Sequence, residues 1–498
     1  MSCLAACVLA QTLLTFSIDH PQPVRFGWRV PVEAVSRGLR LDGDPGAHLQ
    51  WRLLHENPGG GKGALWAVIE VCGHDGPAKL LMGGTPPLTC GESGTVCVRT
   101  IEEGAAESGP TRTETDRWID GTVDTRVLHT LFEDHHGPVH WLEDGGSIVE
   151  RRMPVRIRAS EWRRIGVLPR GDGAGRRARQ ELLDAVPRLP GAPGRLGSGD
   201  FTRGTEQATV TNLEFDTALG FLRLALSEGD PACLERAQRA ARHTLDVDLD
   251  VRSGLPFRHG PDHRVARSEP GHVWTTGIAL VGAVFGEAEI FEGGLGIAQA
   301  LAARVLGPEP REGPFDRLRD EAWPLHELEQ MLQIIDHPSL RRAADAVAGR
   351  MLARFDPRLG CLRYGEGETR AGRVYRDRLW LSLGLAVPAL EMHATRTGDA
   401  RALEAVASIR QVGVGLLASG RSGLPLTISL ADEAQPSAVW TSRAAEGYLL
   451  LEGLTPDALR SALGRSHVRR ALEGALDHDH EDLATRFSIA ARCAWVAR

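Results

Sequence analysis

The side chains best suited to chemistry are concentrated between positions 199 and 277 of a chain of 498 residues. Histidine, tryptophan and short polar residues cluster there, and the main ones are Asn212, Asp216, His259, His263, His272 and Trp274. Imidazole groups transfer protons near neutral pH, carboxylate and amide groups hydrogen-bond hydroxyls, and an indole offers a flat stacking surface. This stretch therefore predicts proton transfer on a hydroxyl-rich substrate.

Asn212 and Asp216 are predicted to share one face of a helix that begins near Thr209, because positions four apart lie above one another. Thr211 and Glu214 match a capping box, in which the threonine caps the helix and the glutamate returns to its backbone amide. The capping box alone would explain Glu214. A sugar-binding face would explain the Asn and the Asp, and both interpretations stay open.

The three histidines of this stretch allow two interpretations. His259 and His263, followed by His272, would suit a metal ion if the loop folded back. No carboxylate at the spacing of a zinc hydrolase accompanies them, so histidines hydrogen-bonded within a long loop are favoured over a metal site. His272 follows a Pro-Gly pair at a predicted helix start, where the helix dipole favours the neutral imidazole that a general base needs. Trp274 would stack on a sugar ring or fill the core.

Later predicted helices carry further aromatic and ionisable residues. In chain order these are Trp323, His326, Glu327, Tyr375, Arg376, Asp377, Trp380, Trp440 and Arg443. One aromatic and one ionisable group per helix would line a carbohydrate-binding funnel. Amphipathic helices with tryptophan in their core would give the same pattern.

The elements that must position these residues change type along the chain. Over 11–165, short alternating runs between glycine-rich turns predict an antiparallel β-sandwich or barrel-like domain. A segment rich in Pro, Gly and Arg follows, and beyond it the helical period dominates. The chain is therefore expected to be multidomain, β followed by all-α, with a β domain over 1–168, a linker over 169–200 and a helical domain over 201–498.

Turns rich in Gly, Asp and Pro predict the second helices of helical pairs, and they lie at 229–231, 336–338, 398–400 and 453–456. The first helices are expected to begin near Thr209, His272, Phe315, Tyr375, Ser437 and Asp482. Regular hairpins of this kind predict an (α/α) toroid of about six helical hairpins.

Composition excludes several classes of protein. The net charge of −7 and a pI near 6.2 argue against a nucleic-acid partner, and no apolar run reaches transmembrane length, so no membrane partner is expected. The apolar run up to Leu14 lacks a basic n-region, so the protein is expected to be cytoplasmic, or exported if a signal is missing from this chain. None of the eight cysteines forms a CxxC pair, and Cys90 and Cys97 would either bridge a hairpin or stay free.

The order and spacing of these motifs resembles the exo-rhamnogalacturonan lyase (YetA-like) family of polysaccharide lyases. The matching segments are Gly-Asp-Phe at 199–201, Asn-Leu-Glu-Phe-Asp-Thr at 212–217 and His-Val-Trp-Thr-Thr-Gly at 272–277. The chain departs from the family pattern at three positions, where Phe201 replaces Trp, Phe215 replaces Tyr and Thr276 replaces Glu. It also ends in a predicted helix, where such enzymes commonly carry a C-terminal β domain.

The resemblance implies β-elimination on a uronic-acid-containing glycan of the pectin or rhamnogalacturonan type, with no cofactor, although a divalent cation such as calcium would be compatible. The chemistry needs a neutralised C6 carboxylate, a base for the C5 proton and a donor for the leaving oxygen. The catalytic candidates are His272 or His263 as the base, Tyr375 as a second base or acid, and Arg258 or Arg376 as the neutralising group. The substrate-binding candidates are Asn212, Glu214, Asp216, Arg203, His259, Trp274 and Trp380.

Two other functions fit the same residues. A glycoside hydrolase on the same toroid would use a carboxylate pair such as Asp216 and Glu327. A non-catalytic carbohydrate-binding or structural protein would be consistent with the three departures from the family pattern. A lyase leaves an unsaturated product that absorbs ultraviolet light, a hydrolase leaves none, and a binding protein releases no product at all.

Overall fold

A computed structural model describes residues 11–18, 23–42, 46–55, 64–88, 94–106, 109–130, 142–144, 155–168, 184, 201–203, 209–211, 216–257, 268, 270–307, 318–357, 360–362, 369–370, 373–377, 382–418, 425–431 and 435–440. For 201–203, 209–211, 369–370, 373–377, 425–431 and 435–440 the description covers the backbone only.

The described part of 11–168 is built of antiparallel strands, as the sequence predicts. The strands are β1 (Thr12–Ile18), β2 (Val24–Pro31), β3 (Leu39–Asp42), β4 (His48–Leu53), β5 (Ala64–Cys72), β6 (Gly76–Met82), β7 (Cys97–Ala106), β8 (Gly109–Trp118), β9 (Val123–Thr130), β10 (Leu142–Asp144) and β11 (Val155–Ile157). They form three sheets in the orders β11-β1-β6-β3, β2-β5-β4 and β10-β9-β8-β7. Two short helices accompany them, α1 (Glu33–Arg37) and α2 (Ala159–Arg164). Closure into a sandwich or barrel stays a prediction.

Strand β2 shows why this segment forms a half-buried sheet. Its alternate residues Val24, Phe26, Trp28 and Val30 are buried, as the period of two in a strand requires. The ring of Trp28 meets Trp162 of α2 edge-on, with ring centroids 5.2 Å apart. The aromatic contact fixes α2 against one face of the strand.

The opposite face of β2 carries a buried charge network that joins two of the sheets. Arg25 contacts Glu70 on β5 and donates to Asp116 on β8 at 2.7 Å, and Arg99 on β7 donates twice to Asp116 at 2.8 Å. Burial alone would raise the pKa of Asp116, but the hydrogen bonds and positive charges of the two arginines outweigh burial and hold that pKa well below its usual range. Cys97 next to Arg25 is a free buried thiol, and burial raises its pKa to about 12.

Beyond residue 216 the described chain forms helical hairpins. The pairs are α3 (Thr217–Glu228) with α4 (Pro231–His243), α5 (Thr276–Phe285) with α6 (Ala288–Leu306), α7 (Arg319–Ile334) with α8 (Pro338–Leu352), and α9 (Val387–Thr397) with α10 (Ala400–Ala418). First helices of successive hairpins contact one another, α3 with α5, α5 with α7 and α7 with α9, and second helices do the same from α6 to α10. This two-layer order is typical of stacked hairpins. Its closure into a toroid, and the number of about six hairpins, stay predictions. None of the described helices is long and apolar enough to cross a membrane.

The turns between paired helices form where the sequence predicts them. Gly229 ends α3 in the left-handed region at φ 75°, Asp230 caps α4 by accepting from Cys233 N, and Pro231 occupies the first turn, where it needs no hydrogen bond. The second helices predicted after 231, 338 and 400 are thereby confirmed as α4, α8 and α10. The turn predicted at 453–456 and the helix start at Asp482 lie outside the described residues.

Several predicted helix starts are wrong because strands form there. They are β12 (Phe201–Arg203) with β13 (Thr209–Thr211), and a four-stranded sheet of β18 (Thr369–Arg370), β19 (Arg373–Asp377), β20 (Pro425–Ala431) and β21 (Gln435–Trp440). The starts near Thr209, Tyr375 and Ser437 fall on these strands. Thr and Val occur in each of the strand pairs β12 with β13, β18 with β19 and β20 with β21, and such residues favour a pleated backbone once a partner strand is present. Short hairpins β14 (Leu249–Asp250) with β15 (Leu255–Pro256) and β16 (Phe355–Asp356) with β17 (Cys361–Leu362) complete the described strands.

The capping box predicted at Thr211 and Glu214 is also wrong, because Thr211 ends strand β13 and the helix begins only at Thr217. The predicted starts near His272 and Phe315 come too early, since α5 begins at Thr276 and α7 at Arg319. Phe315 itself lies outside the described residues.

The β segment and the helical hairpins share one hydrophobic core. Gly27 on β2 faces α5 so closely that an added Cβ would overlap the carbonyl oxygen of Ala283. Gly286, which ends α5 at φ 68°, lies against the sheet as well, since an added Cβ would come within 3.0 Å of a Val68 methyl group. The absence of side chains at these positions lets the sheet and the helix approach backbone to backbone.

A buried carboxylate ties three helices of the later hairpins together. Glu329 on α7 lies 2.9 Å from His393 Nδ1 and accepts from Arg396 at 2.6 Å, and Arg396 also contacts Asp345 on α8 at 2.7 Å. Burial would raise the pKa of Glu329, but the hydrogen bonds from His393 and Arg396 outweigh burial and lower it. The network anchors α9 to α7 and α8.

Candidate functional site

The structure describes the side chains of three of the predicted site residues, Asp216, His272 and Trp274, and all three are buried. Arg203 lies on β12, and Tyr375 and Arg376 lie on β19, with their backbones alone described. The other candidates lie outside the described residues, and they are Asn212, Glu214, Arg258, His259, His263 and Trp380. The site can therefore be built around the segment that leads into α5.

Asp216 joins the N-termini of two helices. One carboxylate oxygen accepts from Leu219 N at 3.0 Å and so caps its own helix α3. The other accepts from Gly277 N at 2.9 Å, in the first turn of α5. Gly277 leaves the room for this contact, since a Cβ there would overlap the Asp216 carboxylate. These bonds give Asp216 a structural role whatever else it binds.

Glu327 on α7 takes the remaining amides at the start of α5. Its Oε2 accepts from Thr275 N at 2.9 Å, Thr276 N at 3.2 Å and Thr276 Oγ1 at 3.1 Å. The first amides of a helix lack partners within the helix and carry partial positive charge, so a carboxylate there is well placed. The N-terminus of α5 is thus held by Asp216 from one neighbouring hairpin and Glu327 from the other.

His272 ends a single 3-10 turn, Pro270–His272, and lies one short segment before α5. The prediction that His272 lies at the N-terminus of the helix is therefore wrong. The helix begins at Thr276, and its first amides are bound by Asp216 and Glu327. The ring is 4% exposed and stacks obliquely on Trp323, with centroids 5.3 Å apart. Arg319 at the start of α7 contacts its Nε2, lies 3.3 Å from its Nδ1, and donates to the carbonyl oxygen of Gly271 at 3.3 Å.

Arg319 places a donor group against the His272 ring. A guanidinium has donors and no acceptor, so a hydrogen bond between the two side chains uses the ring nitrogen as the acceptor. The guanidinium also lies 5.1 Å from the centre of the Trp323 ring, within the range of a cation–π contact. Arg319 is half-buried and its neighbour Asp320 is exposed, so the cluster reaches solvent at this arginine.

Trp274 is a buried member of the same cluster. Its ring meets Trp323 edge-on at 5.0 Å and His326 edge-on at 6.1 Å. His326 lies 3.1 Å from Glu327 Oε1 through Nδ1 and 2.8 Å from the Gln330 side chain through Nε2. Trp274 is 3% exposed, so its ring packs inside the cluster and does not offer an open face on which a sugar could stack.

Arg319 is the main residue of this cluster that the sequence did not indicate. It lies on one face of α7 with Trp323, His326 and Glu327, which the sequence did indicate, because these positions follow helical spacing. That spacing was the available signal. The partner of Arg319 is 47 residues earlier in the chain, so only the packing of α7 beside the segment before α5 reveals the pair.

The arrangement can accept a proton, bind an anion and exclude water. An imidazole with an unprotonated nitrogen is a base, a guanidinium at the solvent boundary binds carboxylates, and the tryptophans lower the local dielectric. Among the residues that the structure describes, no three His, Cys, Asp or Glu side chains are grouped as metal ligands.

Comparison with known proteins gives distant structural similarities. No family model matches the chain, and no curated protein matches it. A cellobiose 2-epimerase from Spirochaeta thermophila is similar at a TM-score of 0.44 and 15% identity, over 60% of this chain and 83% of that one. A sugar epimerase from a ruminal bacterium is similar at 0.43 and 11%, over 59% and 84%. A family 76 glycoside hydrolase from a bovine Bacteroides thetaiotaomicron strain is similar at 0.41 and 8%, over 96% and 97%. Scores this low do not establish a common fold.

Proposed function

We propose that the chain is a carbohydrate-active enzyme, and that it acts as a polysaccharide lyase on a uronic-acid-containing glycan of the pectin or rhamnogalacturonan type. One observation carries the proposal. His272 of the His-Val-Trp-Thr segment, which resembles the lyase family, lies between Arg319 and Trp323 with a ring nitrogen that accepts. A base beside a cation at the edge of an apolar cluster is what β-elimination from a uronate requires.

The proposed reaction uses these groups as follows. His272 takes the C5 proton, the electron pair forms the C4–C5 double bond, and the glycosidic oxygen leaves C4 and takes up a proton. Negative charge develops on the C6 carboxylate, and Arg319 binds it with two parallel N–H donors. The guanidinium that held the imidazole is then engaged by the substrate, which frees the ring nitrogen. Tyr375 remains the predicted proton donor to the leaving oxygen.

Arg319 takes the neutralising role because its guanidinium contacts the proposed base, whereas Arg258 and Arg376 remain predictions for the same role. His263 remains the predicted alternative to His272 as the base. The other substrate-binding candidates also remain predictions, and they are Asn212, Glu214, Arg203, His259 and Trp380. The net charge of −7 repels an anionic polymer, so the local cation at Arg319 has to outweigh it at the site.

The test is a panel of pectic and other uronic polymers assayed in parallel for ultraviolet absorbance and for new reducing ends. A lyase raises both signals. Reducing ends without absorbance identify a hydrolase, and binding without either signal identifies a carbohydrate-binding protein. A calcium titration and a chelator are run alongside, since a cation would add to the neutralising charge.

Two variants locate the chemistry once a substrate is found. His272→Gln keeps an oxygen that can accept from Arg319 and removes the base, so kcat is expected to fall about 10²–10⁴-fold with the fold retained. Arg319→Lys keeps the charge and loses the bidentate geometry, so KM is expected to rise and kcat to fall. Arg342→Gln, at an exposed arginine of α8, is the matched control. Full activity of His272→Gln would contradict the assignment.

The carboxylate pair that the sequence suggested for a glycoside hydrolase, Asp216 and Glu327, has a structural role in this fold. Asp216 and Glu327 both cap α5, and their oxygens accept from backbone amides there. A catalytic acid or nucleophile must present an oxygen to the substrate, whereas these carboxylate oxygens are already bound to donors of the protein. A hydrolase on this fold would therefore need carboxylates other than these two.

A further inference from the structure

The sheet face of β2 that packs towards α5 carries two arginines with opposite surroundings. Arg25 has Glu70 directly opposite on β5 and Asp116 beside it. Arg29, further along the same strand on the same face, has Trp66 directly opposite. Residues directly opposite in an antiparallel pair lie on the same face and are in reach of one another. One arginine is thus paired with acids and the other with an indole.

Arg29 has no counter-ion among the residues that the structure describes. Its hydrogen bond runs from Nη1 to the carbonyl oxygen of Ile165 at 3.3 Å, and its Nε–H is buried without an acceptor. Burial lowers the pKa of Arg29, and no neighbouring acid raises it again. Buried charges in proteins are normally paired, because an uncompensated charge costs free energy.

Trp66, the residue directly opposite Arg29, carries a second buried donor. Its ring is 5% exposed and its indole Nε1–H is buried without an acceptor. An indole nitrogen can only donate, so an acceptor is the one partner it can take. Arg29 is half-buried as a residue, so solvent reaches part of its side chain.

We propose that Arg29 and Trp66 form a binding site for a small oxyanion, a carboxylate or a phosphate group, on the sheet face that packs towards α5. One oxygen accepts from the guanidinium and another from the indole, and the negative charge supplies the missing counter-ion. Arg29 provides the planar pair of donors that oxyanions prefer. Neither residue belongs to the His272 cluster, so the proposal does not depend on what that cluster does.

The experiment is isothermal titration calorimetry and thermal unfolding of the full chain in a buffer free of oxyanions. Sodium phosphate, sodium acetate and sodium galacturonate are added separately, with sodium chloride at matched ionic strength. The wild type is expected to bind at least one oxyanion saturably and to gain melting temperature with it, since a ligand of the folded state stabilises that state. Binding of phosphate alone, or of the carboxylates as well, identifies the source of the group.

Three variants decide the assignment. Arg29→Met keeps the chain length and removes the charge, so anion binding is expected to weaken about tenfold or more. Without an anion the same variant is expected to melt above the wild type, because it removes an uncompensated buried charge. Trp66→Phe keeps a ring and removes the N–H, so binding weakens by less. Arg40→Met, at an exposed arginine of β3, is expected to change neither.

Two binding results would overturn the proposal. One is that none of the three anions binds saturably to the wild type. The other is that Arg29→Met and Trp66→Phe both bind as the wild type does. A lower melting temperature of Arg29→Met in oxyanion-free buffer would show that Arg29 is compensated within the chain, which also contradicts the proposal.

Discussion

Asp216 and Glu327 show how the same residue type serves chemistry or structure according to what its oxygens accept. The sequence offers both as sugar-binding or catalytic carboxylates. In the structure each accepts from backbone amides at the start of α5, and Glu327 Oε2 accepts from three donors of Thr275 and Thr276. A group so engaged contributes mainly to stability. Its replacement is therefore expected to lower the free energy of unfolding whether or not it changes the activity.

Replacement of Glu327 is expected to cost stability in two steps. Glu327→Gln keeps one accepting oxygen and loses the charge at the helix N-terminus, which costs about 1 kcal/mol. Glu327→Ala leaves buried amides without a partner and costs about 3 kcal/mol. Urea unfolding at neutral pH measures both. Equal stability of the alanine variant and the wild type would show that these amides find other partners.

Glu329 makes a pH-dependent contribution whose sign follows from its lowered pKa. The carboxyl is ionised in the folded state at a pH where it is already protonated in the unfolded state, whose pKa is about 4.3. The stabilisation is therefore complete above that unfolded-state pKa and is lost as the pH falls through the lower folded-state value. Glu329→Gln is expected to cost about 3 kcal/mol at pH 7, and the difference from the wild type is expected to shrink below about pH 4.

The matched control for this prediction is Glu391→Gln. Glu391 pairs with Arg410 at the surface and is about half exposed, so its loss is expected to cost less than about 1 kcal/mol. Urea unfolding at several pH values compares the two variants. A difference for Glu329→Gln that stays constant down to pH 3 would contradict the assignment of the lowered pKa to this network.

At the scale of single residues, the sequence indicates most members of the His272 cluster but not Arg319, which contacts His272 and Trp323. His272, Trp274, Trp323, His326 and Glu327 are all indicated by type and spacing. Arg319 is missed because arginine is common in this chain and its value depends on the ring that it touches. Side chains are visible in sequence, whereas contacts between distant segments are decided by the packing of helices.

The approach of β2 to α5 gives the clearest prediction at the scale of elements. Gly27→Ala would place a methyl group on the carbonyl oxygen of Ala283, so the sheet or the helix must shift. The expected cost is about 3 kcal/mol or more, because backbone atoms cannot move aside as a side chain can. Thermal and urea unfolding measure it.

Gly296→Ala is the matched control, since Gly296 lies within α6 and an added Cβ would meet nothing within 4 Å. There the same change is expected to stabilise the protein by about 0.5–1 kcal/mol, because alanine loses less conformational freedom in a helix. The pair separates the effect of contact from that of backbone entropy. Equal effects of the two substitutions would mean that β2 and α5 do not meet at Gly27.

Helices and turns are predicted correctly where nearby residues determine the backbone conformation, and strands are missed where a distant partner strand determines it. The turns before α4, α8 and α10 are predicted correctly, because Gly, Asp and Pro act on their own backbone. Strands β13, β19 and β21 are missed, because each exists only through the strand beside it. Extending the helical spacing of apolar residues along the sequence cannot reveal a strand whose partner is distant in the chain.

At the scale of the whole molecule, the β segment and the helical hairpins are expected to unfold together. Buried residues of both belong to one hydrophobic core, and β2 lies directly on α5. Differential scanning calorimetry is therefore expected to give a single transition with equal calorimetric and van't Hoff enthalpies. Two separated transitions would show that the segments are independent domains, as the division at 168 and 201 in the sequence predicts.

The double capping of α5 has a consequence for amide hydrogen exchange. The first amides of a helix normally exchange with solvent quickly, because nothing within the helix accepts from them. Here the amides of Thr275, Thr276 and Gly277 donate to carboxylates that belong to two other hairpins. Opening any one of them requires a neighbouring hairpin to move, so these protons are expected to exchange as slowly as those in the middle of α5. The start of this helix would then mark where three hairpins fold as one cooperative unit.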